Sequence, residues 1–357
     1  MAEVPSPWRE VLEREVAKLT RRDDVLAVGL CGSTSYGDYW PGADLDIEVV
    51  VRGDKAREIV TTEQEVSVDY GYFGETILKG IPYETCPIYD PTKVLTKELS
   101  SRDKDLVLRE AMEDSLVRAR TYLARSNAAL SIDPFSALAW ATIVSWPLGE
   151  VFTLASGEYR THRRVVSRLE KSMNKIGERD LFQKYCTLLG LPQTLARAQD
   201  LLSELQLGYR EIWNYFRGKS DGPVYMVQQP DSEAWFKNRI LPLYEYDKRD
   251  LVSLVYEEYL FILSFVFRAS GYERSPDAVL LEALKFNGPP SQWAARYRNI
   301  LKFFPNDAVS EVLHCGEELL VQAELMAEQR PSLPTTREKK LRAEGLPRTV
   351  RSPKQPR

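Results

Sequence analysis

The sequence predicts an α+β protein in which a small mixed-sheet unit is followed by a larger all-helical one. Three observations predict it. Short β-branched apolar runs are confined to the first stretch of the chain, apolar residues recur at three- and four-residue spacing beyond about residue 102, and the composition is globular, with 43% apolar, 28% charged and 10% aromatic residues over 357 positions. The expected organisation is a first domain over residues 1–100, a helical domain over 101–330 and a disordered basic tail over 331–357.

Taken in order, Pro7 to Thr20 places Trp8, Val11, Leu12, Val16 and Leu19 on one stripe and predicts an amphipathic helix. Arg21 to Asp24 is a polar break, and Val25 to Leu30 reads as a buried strand. A loop with Gly and Ser, Gly32 to Gly42, leads to a second strand over Leu45 to Val51. Glu63 to Tyr72 alternates as a third strand, with Val66 and Val68 on one face and Ser67 and Asp69 on the other; Cys86 to Tyr89 adds a short fourth. Helices are then expected over Asp103–Leu130, Pro134–Ala155, Arg163–Leu189, Leu195–Phe216 and Lys248–Ala269, and further over Pro276–Phe286, Gln292–Phe303 and Ala308–Ala327. Aromatic groups at helical spacing, such as Tyr209, Trp213 and Phe216, are expected core.

Composition excludes several classes of function. No apolar run reaches the roughly 18 to 20 residues of a membrane helix; the best candidate, Tyr259 to Phe267, is short and follows Glu257 and Glu258. The N-terminus turns charged at once, so a cytoplasmic protein is expected. Cys31, Cys86, Cys186 and Cys315 are widely spaced and the histidines are only His162 and His314, which argues for reduced thiols and against a zinc site. The net charge of −4 hides an asymmetry: from Arg330 onward nine basic residues face two acidic ones, leaving −11 on the rest. So acidic a body disfavours an extended nucleic-acid partner and suits a small or cationic one.

The segment Leu30 to Val51 carries the chemistry. Asp44 and Asp46 lie two apart at a strand start, so both carboxylates project from one face. Their mutual repulsion is tolerated where divalent cations neutralise it, and the hard cation that takes carboxylate and phosphate oxygens together is magnesium. Asp69 supplies a third carboxylate if its strand is a neighbour; Glu48, two beyond Asp46, and Glu65 are alternatives for that third place. Three carboxylates can hold two metal ions. Gly32 lets the backbone approach a ligand, Ser33 offers a hydroxyl to a phosphate oxygen, and Gly37 keeps the next turn tight. Each piece alone is common in strand starts and turns; the order of all of them is what points to a triphosphate site.

In type and order, Gly32, Ser33, Gly37, Asp44, Asp46 and Asp69 resemble the motif of the nucleotidyltransferases with the DNA polymerase beta type of catalytic domain. The likeness covers about the first hundred residues. Beyond them the arrangement is similar only in outline to the antibiotic-modifying branch, such as the kanamycin and lincosamide nucleotidyltransferases, and to the minimal nucleotidyltransferases that modify proteins. Ala43 departs from the pattern, since many members carry Ser before the first Asp, but it alters neither charge nor ligation. The resemblance implies transfer of a nucleoside monophosphate from a nucleoside triphosphate, ATP foremost, to a hydroxyl-bearing acceptor with release of pyrophosphate. It implies two Mg2+ ions on Asp44, Asp46 and Asp69, and the nucleotide on Gly32, Ser33 and Gly37. A protein or RNA acceptor, or a non-catalytic nucleotide-binding regulator, are the alternatives.

In the helical domain, Glu150 lies on an apolar face that would raise its pKa and suit it to accept a proton. The same resemblance points to a carboxylate base there; simple pairing with an arginine is the rival reading. Arg160, Arg163, Arg164 and Lys171 could reach a triphosphate, with Arg160 and Lys171 taken as nucleotide-binding, although such a run is commonly a solvated face.

Overall fold

The computed structural model describes residues 4–329 apart from 55–56, 64–65, 159–162, 220, 229–230, 271–278 and 305–307. The expected basic tail lies outside the described residues, as do Arg160 and His162. The α+β class holds, with a sheet unit followed by helices.

Helix α1 (Trp8–Leu19) precedes β1 (Val25–Cys31), a one-turn helix α2 (Gly32–Ser35) and β2 (Leu45–Val51). Strands β3 (Arg57–Glu63), β4 (Val66–Gly74) and β5 (Cys86–Tyr89) complete a five-stranded sheet of order β3-β4-β2-β1-β5. β2 and β4 run parallel and every other pair is antiparallel. The expected third strand is thus two: a strand over Arg57–Glu63 turns back and pairs along Val66–Gly74. Period-two alternation decides the faces. Leu45, Ile47, Val49, Val66, Val68 and Tyr70 pack on Val11, Leu12 and Leu19 of α1, so Asp46 and Asp69 point to the opposite side.

The helices follow as α3 (Val94–Ser101), α4 (Lys104–Ala129), α5 (Pro134–Ile143), α6 (Ser145–Ala155), α7 (Val165–Ile176), α8 (Arg179–Leu188), α9 (Leu191–Leu195) and α10 (Ala198–Phe216). Asp103 and Asp133 start α4 and α5 by accepting from the backbone N–H groups two and three residues on. Two segments expected as single helices are divided, each for a local reason. Pro147 cannot donate to the Ile143 carbonyl, and the chain breaks there into α5 and α6. Gly177 takes a left-handed φ of 84° and ends α7 before α8 begins. Pro134–Ala155 is also the stretch whose length and apolarity match a membrane span, and 94% of its most apolar 18-residue window is buried inside the protein.

A run of short elements that periodicity did not predict comes next: α11 (Val224–Gln228), α12 (Ser232–Trp235), a π-helical turn (Phe236–Ile240) and α13 (Leu241–Tyr246). Long α14 (Lys248–Ala269), short α15 (Val279–Ala283), α16 (Pro289–Leu301) and α17 (Ala308–Gln329) finish the chain. Of the helix expected over Pro276–Phe286, residues 279–286 are described: α15 covers Val279–Ala283 and a turn follows. One large core of Leu, Val, Ile and aromatic side chains, including Tyr209, Trp213 and Phe216, joins the helices. All four cysteines are free thiols.

Candidate metal and nucleotide site

Parallel pairing sets Asp46 directly against Asp69, and antiparallel pairing sets Cys31 against Asp46, so the end of β1, the start of β2 and the middle of β4 meet at one point. There the carboxylates of Asp44, Asp46 and Asp69 offer oxygens that all lie within 4.8 Å of one another. Gly32 begins the turn above them with φ +65°, and a Cβ added there would sit 1.9 Å from Asp46 Oδ2. Only glycine can hold that position, because both the left-handed backbone and the carboxylate forbid a side chain. Trp8 Nε1 donates to the Ala43 carbonyl at 2.9 Å and ties α1 to the segment that delivers Asp44.

The three acids differ electrically. Burial drives Asp44 up, but Arg163 and Arg239 outweigh it and hold this carboxyl below the usual carboxylate range. Burial, with Asp44 and Asp69 adding repulsion, holds Asp46 well above that range. Asp69 is raised as well, by burial that Arg239 only partly opposes. The carboxylate of Asp46 makes no hydrogen bond or ion pair among the described residues. A half-buried carboxylate without a partner beside two others is an environment a hard divalent cation relieves, and the donor set of carboxylate oxygens fits one.

Facing the aspartates is Arg239, only 1% exposed. Its Nη1 is 2.6 Å from Asp44 Oδ2 and its Nη2 2.6 Å from Asp69 Oδ1. Arg163 Nη1 reaches the same Asp44 oxygen at 3.1 Å. Arg239 sits in the π-helical turn, an irregularity often found at functional sites, and is buried there with Phe236 and Ile240. Its guanidinium lies 4.4 Å from the Trp235 ring centre, and Trp235 stacks on Tyr225 at 4.5 Å and 8°.

The triad opens into a cleft of about 1580 Å³ between the sheet and the helices. Gly32 and Ser33 line its sheet side, while Arg163, Glu257, Glu258 and Phe261 line its helical side. Nine acids line it against four bases, a balance that repels a polyanion. Glu258 accepts from Tyr225 Oη at 2.9 Å. Glu257 makes no hydrogen bond or ion pair among the described residues, and burial, with Glu258 and Glu150 adding repulsion, raises its pKa to about 8.

The remaining expected site residues stand apart. Gly37, with φ +76°, closes the turn after α2 and is exposed, outside the cleft lining. Glu150 is buried under α4, where it accepts from Arg118 at 2.5 Å and from Ser115 at 2.8 Å, so it takes the arginine pairing and does not face the cleft. Lys171 points to solvent from α7, away from the cleft lining, because the helix presents Val166, Leu169 and Met173 to the core. Of the rivals to Asp69, Glu48 is buried one layer deeper, accepting from the Cys31 thiol at 3.0 Å, and Glu65 lies outside the described residues.

No family model and no curated protein matches the chain. Among solved structures, a nucleotidyltransferase-like protein from Exiguobacterium sibiricum 255-15 aligns over 75% of this chain and 81% of its own, with 11% identity and a TM-score of 0.32. So slight a likeness defines neither fold nor activity, and the functional argument stands on the aspartates and their surroundings.

Proposed function

We propose that the chain is a metal-dependent nucleotidyltransferase that moves a nucleoside monophosphate from a nucleoside triphosphate, ATP first among them, to a hydroxyl of a small molecule. The convergence of Asp44, Asp46 and Asp69 within 4.8 Å, beside Gly32 and Ser33, carries this reading. In it the three carboxylates hold magnesium, and the ions when bound neutralise phosphate charge and acidify the acceptor hydroxyl. Ser33 and the backbone at Gly32 seat the phosphates, and Arg163 adds positive charge from the helical side. The acceptor oxygen bonds to the α-phosphorus while the bond from that phosphorus to the β-phosphate bridging oxygen breaks. Pyrophosphate leaves, and the hydroxyl proton passes to Glu257, the unpaired carboxylate facing the cleft. The acidic lining supports a neutral or cationic acceptor over RNA.

A non-catalytic nucleotide binder is the second reading, and it has one observation in its favour: Arg239 already neutralises two of the three acids. Pyrophosphate release from each triphosphate, with and without magnesium and with a metabolite extract as acceptor source, separates the two. Turnover with magnesium and a nucleotidyl mass increase on an extract compound are expected, both lost by at least about 100-fold in Asp46→Asn. Unchanged turnover in that variant would remove the assignment.

A further inference from the structure

Three of the six carboxylate oxygens that Asp44, Asp46 and Asp69 offer to a shared divalent cation are held by Arg239. Asp44 Oδ2 accepts from Arg239 Nη1 at 2.6 Å, Asp69 Oδ1 from Nη2 at 2.6 Å, and Asp69 Oδ2 from Nη1 at 3.2 Å. A cation on those oxygens would sit a few ångströms from a guanidinium in a buried setting, where like charges repel strongly. Arginine cannot escape by giving up its proton, so the two cations exclude each other by position. Arg239 is also built to stay charged without any other acidic partner: its remaining nitrogen, Nε, is buried and without a hydrogen-bond partner among the described residues, and Trp235 covers its face. Every ion pair it makes among the described residues is therefore with the aspartates.

We propose that Arg239 is the resident counter-cation of Asp44 and Asp69, that it competes with the divalent ion for them, and that it sets the site's metal affinity. This rests on the proposed function, in which the three aspartates hold metal. The acid cluster is thereby folded stably without metal, and an entering ion displaces the guanidinium from the carboxylates it bridges. Removing the arginine leaves Asp69 without an ion-pair partner among the described residues and Asp44 with Arg163 alone, which weakens the metal-free fold and strengthens the demand for a cation.

Mn2+ binding by the full chain, followed as the free-ion electron paramagnetic resonance signal, tests this together with melting temperature with and without Mn2+. Arg239→Met, similar in bulk and uncharged, is expected to bind Mn2+ about tenfold or more tighter than the wild type. It should melt lower without metal and gain more from adding it. Arg239→Lys, whose single ammonium cannot bridge two carboxylates, should fold and fall between the two, and it carries the test if Arg239→Met does not fold. Asp46→Asn should lose the binding in either background, marking the site. Equal or weaker Mn2+ binding in folded Arg239→Met or Arg239→Lys overturns the proposal while leaving the metal site standing. Absence of binding in the wild type and both arginine variants overturns it along with the metal-bearing reading.

Discussion

Glu257 is a cleft acid whose chemistry is set by its surroundings. Half-buried beside Glu258 and Glu150 and with its carboxylate lacking a partner among the described residues, it is pushed up to about 8 from its ordinary 4.5 by desolvation and by the repulsion of those two acids. Because the folded value is raised, the stabilisation from its neutral form is complete below about pH 4.5 and is lost as pH rises through about 8. As proton acceptor it must be ionised, so turnover should climb with pH to a plateau above about 8, measurable as a kcat profile. Glu257→Gln should cut kcat by about 100-fold, flatten that profile and steady the fold at alkaline pH; a variant with the wild-type profile would assign the proton elsewhere. Gly32→Ala is the sharpest steric test. A methyl 1.9 Å from Asp46 Oδ2 at positive φ should cost about 1–3 kcal/mol in denaturant unfolding and displace the acid it touches. The three aspartates and Gly32 were legible because strand alternation and sequence spacing determine where such side chains point. Arg239 was not, since its partners lie 195 and 170 residues away and nothing local in its segment distinguishes it. Glu257 was visible only as the charged flank of an apolar run.

At the scale of elements, the start of α7 is held by a neighbour and not by its own sequence. Asp250 of α14, wholly buried, accepts from the backbone N–H of Val166 at 2.8 Å and of Ser167 at 3.1 Å. It thereby satisfies donors that every helix leaves open at its first turn. Burial raises this carboxyl to about 7 although those bonds pull the other way. Asp250→Ala should lower unfolding free energy by about 1–3 kcal/mol, with Asp250→Asn losing less, as read from urea titrations. Since Arg163 and Arg164 immediately precede α7, a loosened start should also weaken nucleotide binding in the alanine variant. Element types were legible wherever periodicity ran long, as in α1, α4, α10 and α14. Boundaries were less so: Pro147 and Gly177 divide runs that hydrophobic spacing alone joins, and the hairpin partner of β4 escaped because turning back after Glu63 leaves no signal in alternation.

For the molecule as a whole, sheet and helices are clasped by charge as well as by apolar contact. Asp38, in the loop after α2, accepts from Arg164 Nη1 at 2.6 Å and pairs with Arg168, while Arg164 lies 4.4 Å from the Tyr246 ring centre. Asp38→Ala leaves two little-exposed arginines facing each other and should cost on the order of 3 kcal/mol by thermal or chemical unfolding, with a loss of cleft function larger than its distance from the aspartates suggests. The two-part architecture could be read from the change in hydrophobic period near residue 100, but this clasp could not, because ion pairing between distant segments has no periodic signature. The position of Arg239 late in the chain also bears on biosynthesis. A nascent polypeptide emerging from the ribosome carries Asp44, Asp46 and Asp69 long before their arginine has been translated, so the early sheet must tolerate clustered negative charge until that residue arrives or a free cation takes its place.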